Sequence, residues 1–483
     1  MSLKTTTLSL ALGLSGLTLT GCDALIDDVN PRQSVTPDQA LETQEGFDAL
    51  LSNAYDALQD VSYYGNNYIL YPDALADNIV QSPNTSNRLP NVVGNVAGSH
   101  INRWAPHYTT INNMNLVLSR IGDLDIAAAN EQAIKDRIGG EAYFFRALNY
   151  FDLARTKGYE PGREVGGFNL SAVLRTEPTL EIDDADFRAR STNTEVYAQI
   201  VSDLEDAIDL LDGAEARPGG GRQFATVGAA QALLARVQLY AGNWAQAEAA
   251  ATAALAASPA RLVNAPTGAA LLAAWRAGSL QESIFEIQMT AAQDGNATNV
   301  NQALQSLTDP RVPNFFDAVA TPSLIAAHDT SDSRLGLYAT QVITGTTVSF
   351  IQKYTGTTQI YVDRIPVFRV PEMLLIQAEA RAEQNNLSGA QAALNTLRNA
   401  RGLANTTADE RGSLVEAVLR ERRLEFAFEG HRFFDLKRRG RDIPKPQVVA
   451  GVLPYTDYRI LAPIPETQVE FNPQLRQNPG YGA

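Results

Sequence analysis

A single cysteine, Cys22, four histidines and no basic stripe outside one local cluster near the C-terminus remove several function classes at once. One cysteine excludes an intrachain disulfide and any multi-cysteine metal site. His100, His107, His328 and His431 lack metalloprotease spacing, although His100 and His107 would meet on a shared helix two turns apart. There is no Gly-x-Ser-x-Gly elbow. Gly219-Gly220-Gly221-Arg222 lacks the Lys-Ser/Thr of a phosphate loop and reads as a connector. Lys and Arg number 39 against 54 Asp and Glu, a formal net charge of −15. That balance excludes nucleic acid as an expected partner and leans any bound polymer toward a neutral one.

What is present is a chain of 483 residues, 45% hydrophobic and 19% charged, enough to bury a large core. Lys4, an apolar run from Leu8 to Leu19 and then Leu19-Thr20-Gly21-Cys22 form a tripartite leader. The run falls short of the ~20 residues that span a bilayer, so residues 1–21 read as a signal peptide. Leu-Thr-Gly-Cys resembles a bacterial lipobox, in which Cys22 is acylated and becomes the new N-terminus. Acyl chains at ~0.8 kcal/mol per buried CH₂ then hold the protein on a membrane. Residues 22–40, acidic and interrupted by Pro31, read as a tether, and residues 41–483 as one folded body.

Helical spacing dominates that body. Thr192-Asn193-Thr194-Glu195 has the form of a capping box ahead of Val196, Ile200, Leu204, Ala207, Ile208 and Leu211. Thr226 precedes a second helix, Gly242-Asn243 breaks it, and Trp244, Ala247, Ala251 and Leu255 mark a third. The pattern recurs later: Ile376, Ala378, Asn386, Leu387, Ala390, Ala393 and Leu397 stand where Leu233, Ala235, Asn243, Trp244, Ala247, Ala250 and Ala254 stood. Small alanines let paired helices approach closely, and an asparagine tolerates the turn conformation. Each unit is similar to a tetratricopeptide repeat of ~34 residues, with such helices expected within about 135–257 and 368–436. The helix carrying Phe144, Leu148 and Phe151 is expected to pair with the one after Thr192, and the separated units to stack.

Two stretches break the pattern. Residues 81–103 are rich in Asn, Ser, Pro and Gly, and residues 290–360 mix Gly, Thr and Asn with aromatics and a few β-prone positions such as Ile343, Val348 and Ile351. Long loops in a compact scaffold carry function. Near the C-terminus, Glu421, Glu425 and Glu429 recur every four residues and need cations between them, which Arg422 and Arg432 are placed to supply. Ser413-Leu414-Val415-Glu416 has the form of a helix start. Carboxylates neutralised in this way have lowered pKa values, wrong for a general acid, so no enzymatic role is expected of them.

The run Glu425-Phe426-Ala427-Phe428-Glu429-Gly430-His431-Arg432-Phe433-Phe434-Asp435-Leu436-Lys437-Arg438 resembles the C-terminal signature of the SusD/RagB nutrient-binding lipoproteins. Arg369-Val370-Pro371-Glu372-Met373-Leu374-Leu375-Ile376-Gln377-Ala378-Glu379-Ala380 is similar to a second helix of that family, although Val370-Pro371 departs from its usual Tyr-Ala. Leu461-Ala462-Pro463-Ile464-Pro465 and Gln477-Asn478-Pro479-Gly480-Tyr481 are similar to its tail, and Trp104, Tyr108, Ile111 and Asn115 to a helix in its N-terminal third. The resemblance implies a mostly α, SusD-like fold in which tetratricopeptide-like helix pairs pack against a loop-rich region with a few short strands. It implies a non-enzymatic lipoprotein, anchored through Cys22 on the extracellular face of the outer membrane. Such a protein captures an oligosaccharide, or alternatively a peptide, for a TonB-dependent SusC-like transporter. A tetratricopeptide scaffold of the envelope without a small ligand is the rival reading.

Sugar binding needs flat apolar faces together with amide or guanidinium groups. The loops offer Tyr63, Tyr64, Asn84, Asn87, Arg88, Asn102, Asn296, Asn299, Phe315, Phe316 and Tyr354 as candidates. No cofactor is expected; the one candidate for structural Ca²⁺ is the acidic stretch Asp183-Asp184-Ala185-Asp186.

Overall fold

A computed structural model describes residues 41–84, 86–290, 302–312, 316–356, 359–445 and 451–482. Cys22, the leader and the tether lie outside the described residues. Eleven helices frame the body: α1 (Gln44–Gln59), α2 (Asn67–Ala74), α3 (Ala105–Arg120), α4 (Glu131–Lys157), α5 (Asn193–Leu211), α6 (Val227–Ala241), α7 (Trp244–Ala257), α8 (Val370–Glu383), α9 (Leu387–Ala400), α10 (Arg411–Glu425) and α11 (Arg432–Arg438). Further helices of eight residues or fewer punctuate the loops.

The long helices stack in chain order: α3 on α4, α4 on α5, α5 on α6, α6 on α7. The arc then continues across a chain gap of more than a hundred residues, because α7 packs on α8 and α8 on both α9 and α10. The recurring positions Leu233, Ala235, Ile376 and Ala378 are all fully buried, as stacked repeats with two covered faces require.

Local chemistry accounts for the ends. The Thr192 hydroxyl accepts the Glu195 N–H, and the Glu195 carboxylate accepts the Thr192 N–H at 2.8 Å, so the expected capping box forms. The left-handed turn residues between paired helices are Gly242 (φ 75°) and Asn385 (φ 66°), one position before the asparagines expected to carry them. Asn386 instead caps α9 by accepting the Gly389 N–H. α10 likewise begins at Arg411 and not after Ser413. Ser413 is its third residue, and its hydroxyl accepts the Glu410 N–H at 3.2 Å.

The excursion between α7 and α8 holds most of the strands. β1 (Ile79–Gln81), β3 (Ala318–Ala320), β5 (Thr346–Ile351) and β4 (Tyr338–Ile343) form an antiparallel sheet in that order, and β2 (Ser283–Gln288) pairs with β6 (Arg364–Arg369). Thr344 and Gly345, both at positive φ, close the β4–β5 hairpin, the turn whose twist matches the strands. A small ribbon, β7 (Ile443–Lys445) with β8 (Gly451–Leu453), completes the inventory.

Excursion and helical arc are joined by buried charge. At the β6–α8 junction, Arg369 donates Nη1 to Glu425 Oε1 at 2.6 Å and to Glu282 Oε2 at 3.1 Å, and Nε to Glu429 Oε2 at 2.7 Å. Arg401 donates Nη2 to Glu282 and Glu425, and Nε to Glu425 Oε2. Arg334 and Arg398 serve Glu421, and Lys353 serves Glu429. The glutamate ladder is therefore neutralised, but by distant residues. Arg422 turns to Asp435 and Arg432 to Asp77, so the near neighbours expected to screen the ladder bind other carboxylates.

Burial alone would raise the Glu425 carboxyl, yet Arg401 and Arg369 outweigh it and hold it well below the usual carboxylate range. Removing one partner from such a cluster strands desolvated cations. Glu425→Ala is expected to cost about 3–5 kcal/mol in urea unfolding monitored by circular dichroism. Because the folded pKa lies below the unfolded one, the Glu425 contribution is present above about pH 4 and lost as pH falls toward the folded value. Below about pH 4 the variant should therefore lose stability less steeply than the parent, by roughly one proton's worth of slope.

Candidate ligand-binding face

The sequence candidates separate by burial. Tyr63, Tyr64 and Tyr354 are core residues, between 0 and 4% exposed, and do not present a face to a ligand. The Tyr63 hydroxyl donates to Asp152 Oδ2 at 2.6 Å, and its ring packs against Tyr64, Tyr68 and His107. Arg155 donates to the Tyr64 hydroxyl, and Tyr354 donates to the Phe428 carbonyl at 2.7 Å. A tyrosine whose hydroxyl finds a partner is at home in a core, and loop-like flanking composition conceals that. Phe316, 6% exposed, is also covered: it meets Phe350 edge-on at 6.2 Å beneath the four-stranded sheet. Asn296, Asn299 and Phe315 lie outside the described residues. Asn102 is exposed but stands apart, its side-chain oxygen 3.5 Å from Lys157 Nζ.

Asn84, Asn87 and Arg88 do come together, on a loop strapped down by Asp317. Asp317 is fully buried; its Oδ1 accepts the Ser86 N–H at 2.7 Å and the Gln81 amide at 3.0 Å, and its Oδ2 accepts the Ser86 hydroxyl. Its backbone carbonyl takes the Ser82 N–H, and Arg88 Nε stands 4.0 Å from Oδ2. Asn87 is left-handed, φ 61°, a conformation asparagine tolerates, and its side chain and that of Asn84 are exposed.

A cavity of about 480 Å³ is lined by Arg276, Gln305, Asp309, Arg311, Val312, Thr355 and Gly356. Arg311 lies over the Phe350 ring, 5.1 Å from its centroid, on the ring that Phe316 also touches. Residues 82–88 follow β1, Asp317 precedes β3, and Gln352, which Arg276 and Arg311 both reach, follows β5, so strapped asparagines, half-buried Arg88 and the donor-rich cavity make a polar face at one end of the four-stranded sheet. That combination suits hydroxyl-bearing ligands.

A second concavity, about 490 Å³, was not anticipated from the sequence. It lies between α3, the segment 173–187 and residues 466–475, with Phe187 and Phe471 edge-to-face at 5.3 Å. Leu180, Ile182 and Phe471 are more than half exposed there. The available signal was Leu180 and Ile182 alternating with acids where no helical partner exists. Its amides are largely committed: Asn112 bonds both backbone groups of Thr179, and Asn115 bonds the Arg175 and Glu177 carbonyls. The acidic stretch considered for Ca²⁺ borders it. Asp186 is taken by Arg175 at 2.6 Å, and Asp183 accepts the Ala185 N–H. Among the described residues no group of three His, Cys, Asp or Glu side chains is placed to hold a metal.

His100 and His107 do not share a helix, since α3 begins at Ala105. His107 lies between Asn149 (2.7 Å) and Tyr68 (2.9 Å), while burial pushes His100, beside Phe433, down to about 3.

Known proteins share this architecture. A model described as the SusD family matches residues 328–481, and one described as starch-binding associating with outer membrane matches residues 27–239. SusD-like protein P38 of Formosa agariphila is 25% identical, covering 96% of each chain. The crystal structure of a putative sugar binding protein from Bacteroides vulgatus has a TM-score of 0.77 at 25% identity, covering 91% of this chain and 99% of that one. A SusD superfamily protein from Bacteroides thetaiotaomicron has a TM-score of 0.76 at 25% identity, covering 90% and 100%.

Asp317 is the handle on this face. Asp317→Ala removes the acceptor for three donors of residues 81–86. Amide hydrogen exchange at Ser86 is expected to accelerate by roughly tenfold or more, while exchange in α6 and α7 stays unchanged.

Proposed function

Because the chain belongs to the SusD/RagB family, with its helical fold and small sheets, we propose that it is a cell-surface lipoprotein that captures a glycan and passes it to a SusC-like TonB-dependent transporter. The observation that carries the binding part is the Asp317-strapped face, where exposed Asn84 and Asn87, half-buried Arg88 and the arginine-lined cavity gather at one end of the four-stranded sheet. One matching family model is described as starch-binding, and the Bacteroides vulgatus relative of known structure is named for sugar binding; both support glycan over peptide. Family association with the outer membrane and the lipobox at Cys22 support an acylated N-terminus after removal of residues 1–21, with residues 22–40 as tether and 41–483 as the binding body. Among the described residues no helix is long and apolar enough to cross a membrane.

The signature residues shared with the family serve the frame. Glu372 is held bidentate by Arg236 and Glu379 by Arg438, and Arg422 and Arg438 both bind Asp435. A frame so fully engaged leaves ligand contacts to the loops.

Calorimetric titration of the wild-type protein with a panel of oligosaccharides and peptides is expected to give binding to a glycan. Replacing Asn84, Asn87 and Arg88 together by alanine should weaken it roughly tenfold or more. Binding of peptides alone, or silence across the panel, would overturn the reading. Cys22→Ser is expected to abolish acyl labelling and release the protein from the outer membrane.

A further inference from the structure

The cavity on this face carries charge that a neutral sugar does not call for. Arg276 donates Nη2 to Gln352 Oε1 at 3.1 Å, and Arg311 donates Nη1 to the same oxygen at 3.3 Å. Two guanidinium groups therefore converge on one neutral acceptor. Arg311 has a counter-charge, since Asp309 grips its other edge with two bonds of 2.7 Å. Arg276 is exposed and, among the described residues, makes no ion pair. Asp363 braces the backbone of the cavity wall, its Oδ1 accepting the N–H groups of Thr355 and Gly356. Gln305 spends its amide oxygen on the Tyr361 N–H, which leaves its NH₂ as a further donor.

Donors thus outnumber acceptors, and two like charges face each other across a single amide oxygen. A carboxylate or sulfate entering beside Gln352 would accept from both arginines and relieve their repulsion. Arginine presents the planar fork those groups match. The Phe350 ring under Arg311 and the Asp309 clamp fix that fork before a ligand arrives.

We infer that this cavity binds an anionic substituent, a carboxylate or a sulfate ester, of the captured glycan. The inference rests on the glycan reading of the face and goes beyond it by assigning the substrate a charge. It reverses the lean toward neutral polymers drawn from the net charge of −15. Exposed charges more than about 8 Å away are largely screened at physiological ionic strength, so the arginine pair and not the distant acidic surface governs contact.

The test is calorimetric titration of the wild-type protein with three oligosaccharide sets of matched length: neutral, uronic-acid-containing and sulfated. At low salt an acidic set is expected to bind about tenfold tighter than the neutral one, with the gap closing as salt rises. Comparison of the uronate and sulfate sets tells which anion is recognised. Arg276→Gln, at an exposed position, is expected to remove the preference without lowering the melting temperature, and Arg276→Lys to retain part of it. Arg311→Gln is read alongside, with its fold checked by circular dichroism because Asp309 loses its partner. A neutral set that binds as tightly as both acidic sets, or a preference that survives Arg276→Gln and Arg311→Gln, overturns the charge assignment and leaves the glycan reading standing. Silence from all three sets overturns both.

Discussion

The buried cluster of Arg369 and Arg401 with Glu282, Glu425 and Glu429 is the constraint from which the rest of the architecture follows. A guanidinium taken out of water costs several kcal/mol, and the cost is offset only when its donors all find acceptors. Arg369 meets that condition with five acceptor contacts from three glutamates on two distant segments: Glu282 ahead of β2, and Glu425 and Glu429 at and just beyond the end of α10. Those segments must arrive together or not at all. Since Glu282 belongs to the excursion and Glu425 to the helical arc, the cluster fixes the orientation of the sheet against the repeats. The loops around the four-stranded sheet inherit that orientation.

A second pattern repeats the logic with lysine. Lys445 Nζ donates to the carbonyls of Ala74, Leu75 and Ala76 at the end of α2, and Lys157, in the last turn of α4, donates to the carbonyls of Ile101 and Pro463. Neither is balanced by a carboxylate hydrogen bond, and burial, with Arg190 adding for Lys157, pulls each down to about 7. Helix ends leave carbonyls unpaired and carry partial negative charge, so a desolvated ammonium is best tolerated there. Asn478 closes the same corner, donating to the Lys157 and Ala462 carbonyls while accepting from Arg190. The C-terminal tail is thereby sealed onto the end of a repeat helix.

What could be read from the sequence was what depends on near neighbours. The Thr192 capping box, the pairing of α4 with α5 and the recurrence of α6–α7 in α8–α9 involve residues a few positions apart or a fixed repeat, and all appear as expected. The partners of the glutamate ladder were misread for the converse reason: Arg422 and Arg432 are adjacent in sequence, but Arg334, Lys353, Arg369 and Arg401 come from far along the chain. Tyr63 and Tyr354 misled because composition reports a loop while burial is decided by distant Asp152 and Phe428. Asp317, which organises the face, has no local pattern at all; its donors lie more than two hundred residues away.

The same separation of near and distant partners divides the exposed loops from the frame. The groups that hold the frame are saturated by one another, so a change in Asn84, Asn87 or Arg276, whose side chains are exposed, unbalances no buried charge. Losing Glu425 or Arg369 would strand several at once. Surface substitutions away from buried networks usually shift stability by less than about 0.5 kcal/mol, whereas breaking a buried pair costs about ten times that. Loop side chains can therefore change while the ion-paired frame beneath them stays fixed. Rigidity here is a property of buried donors and acceptors that the exposed loop side chains do not share.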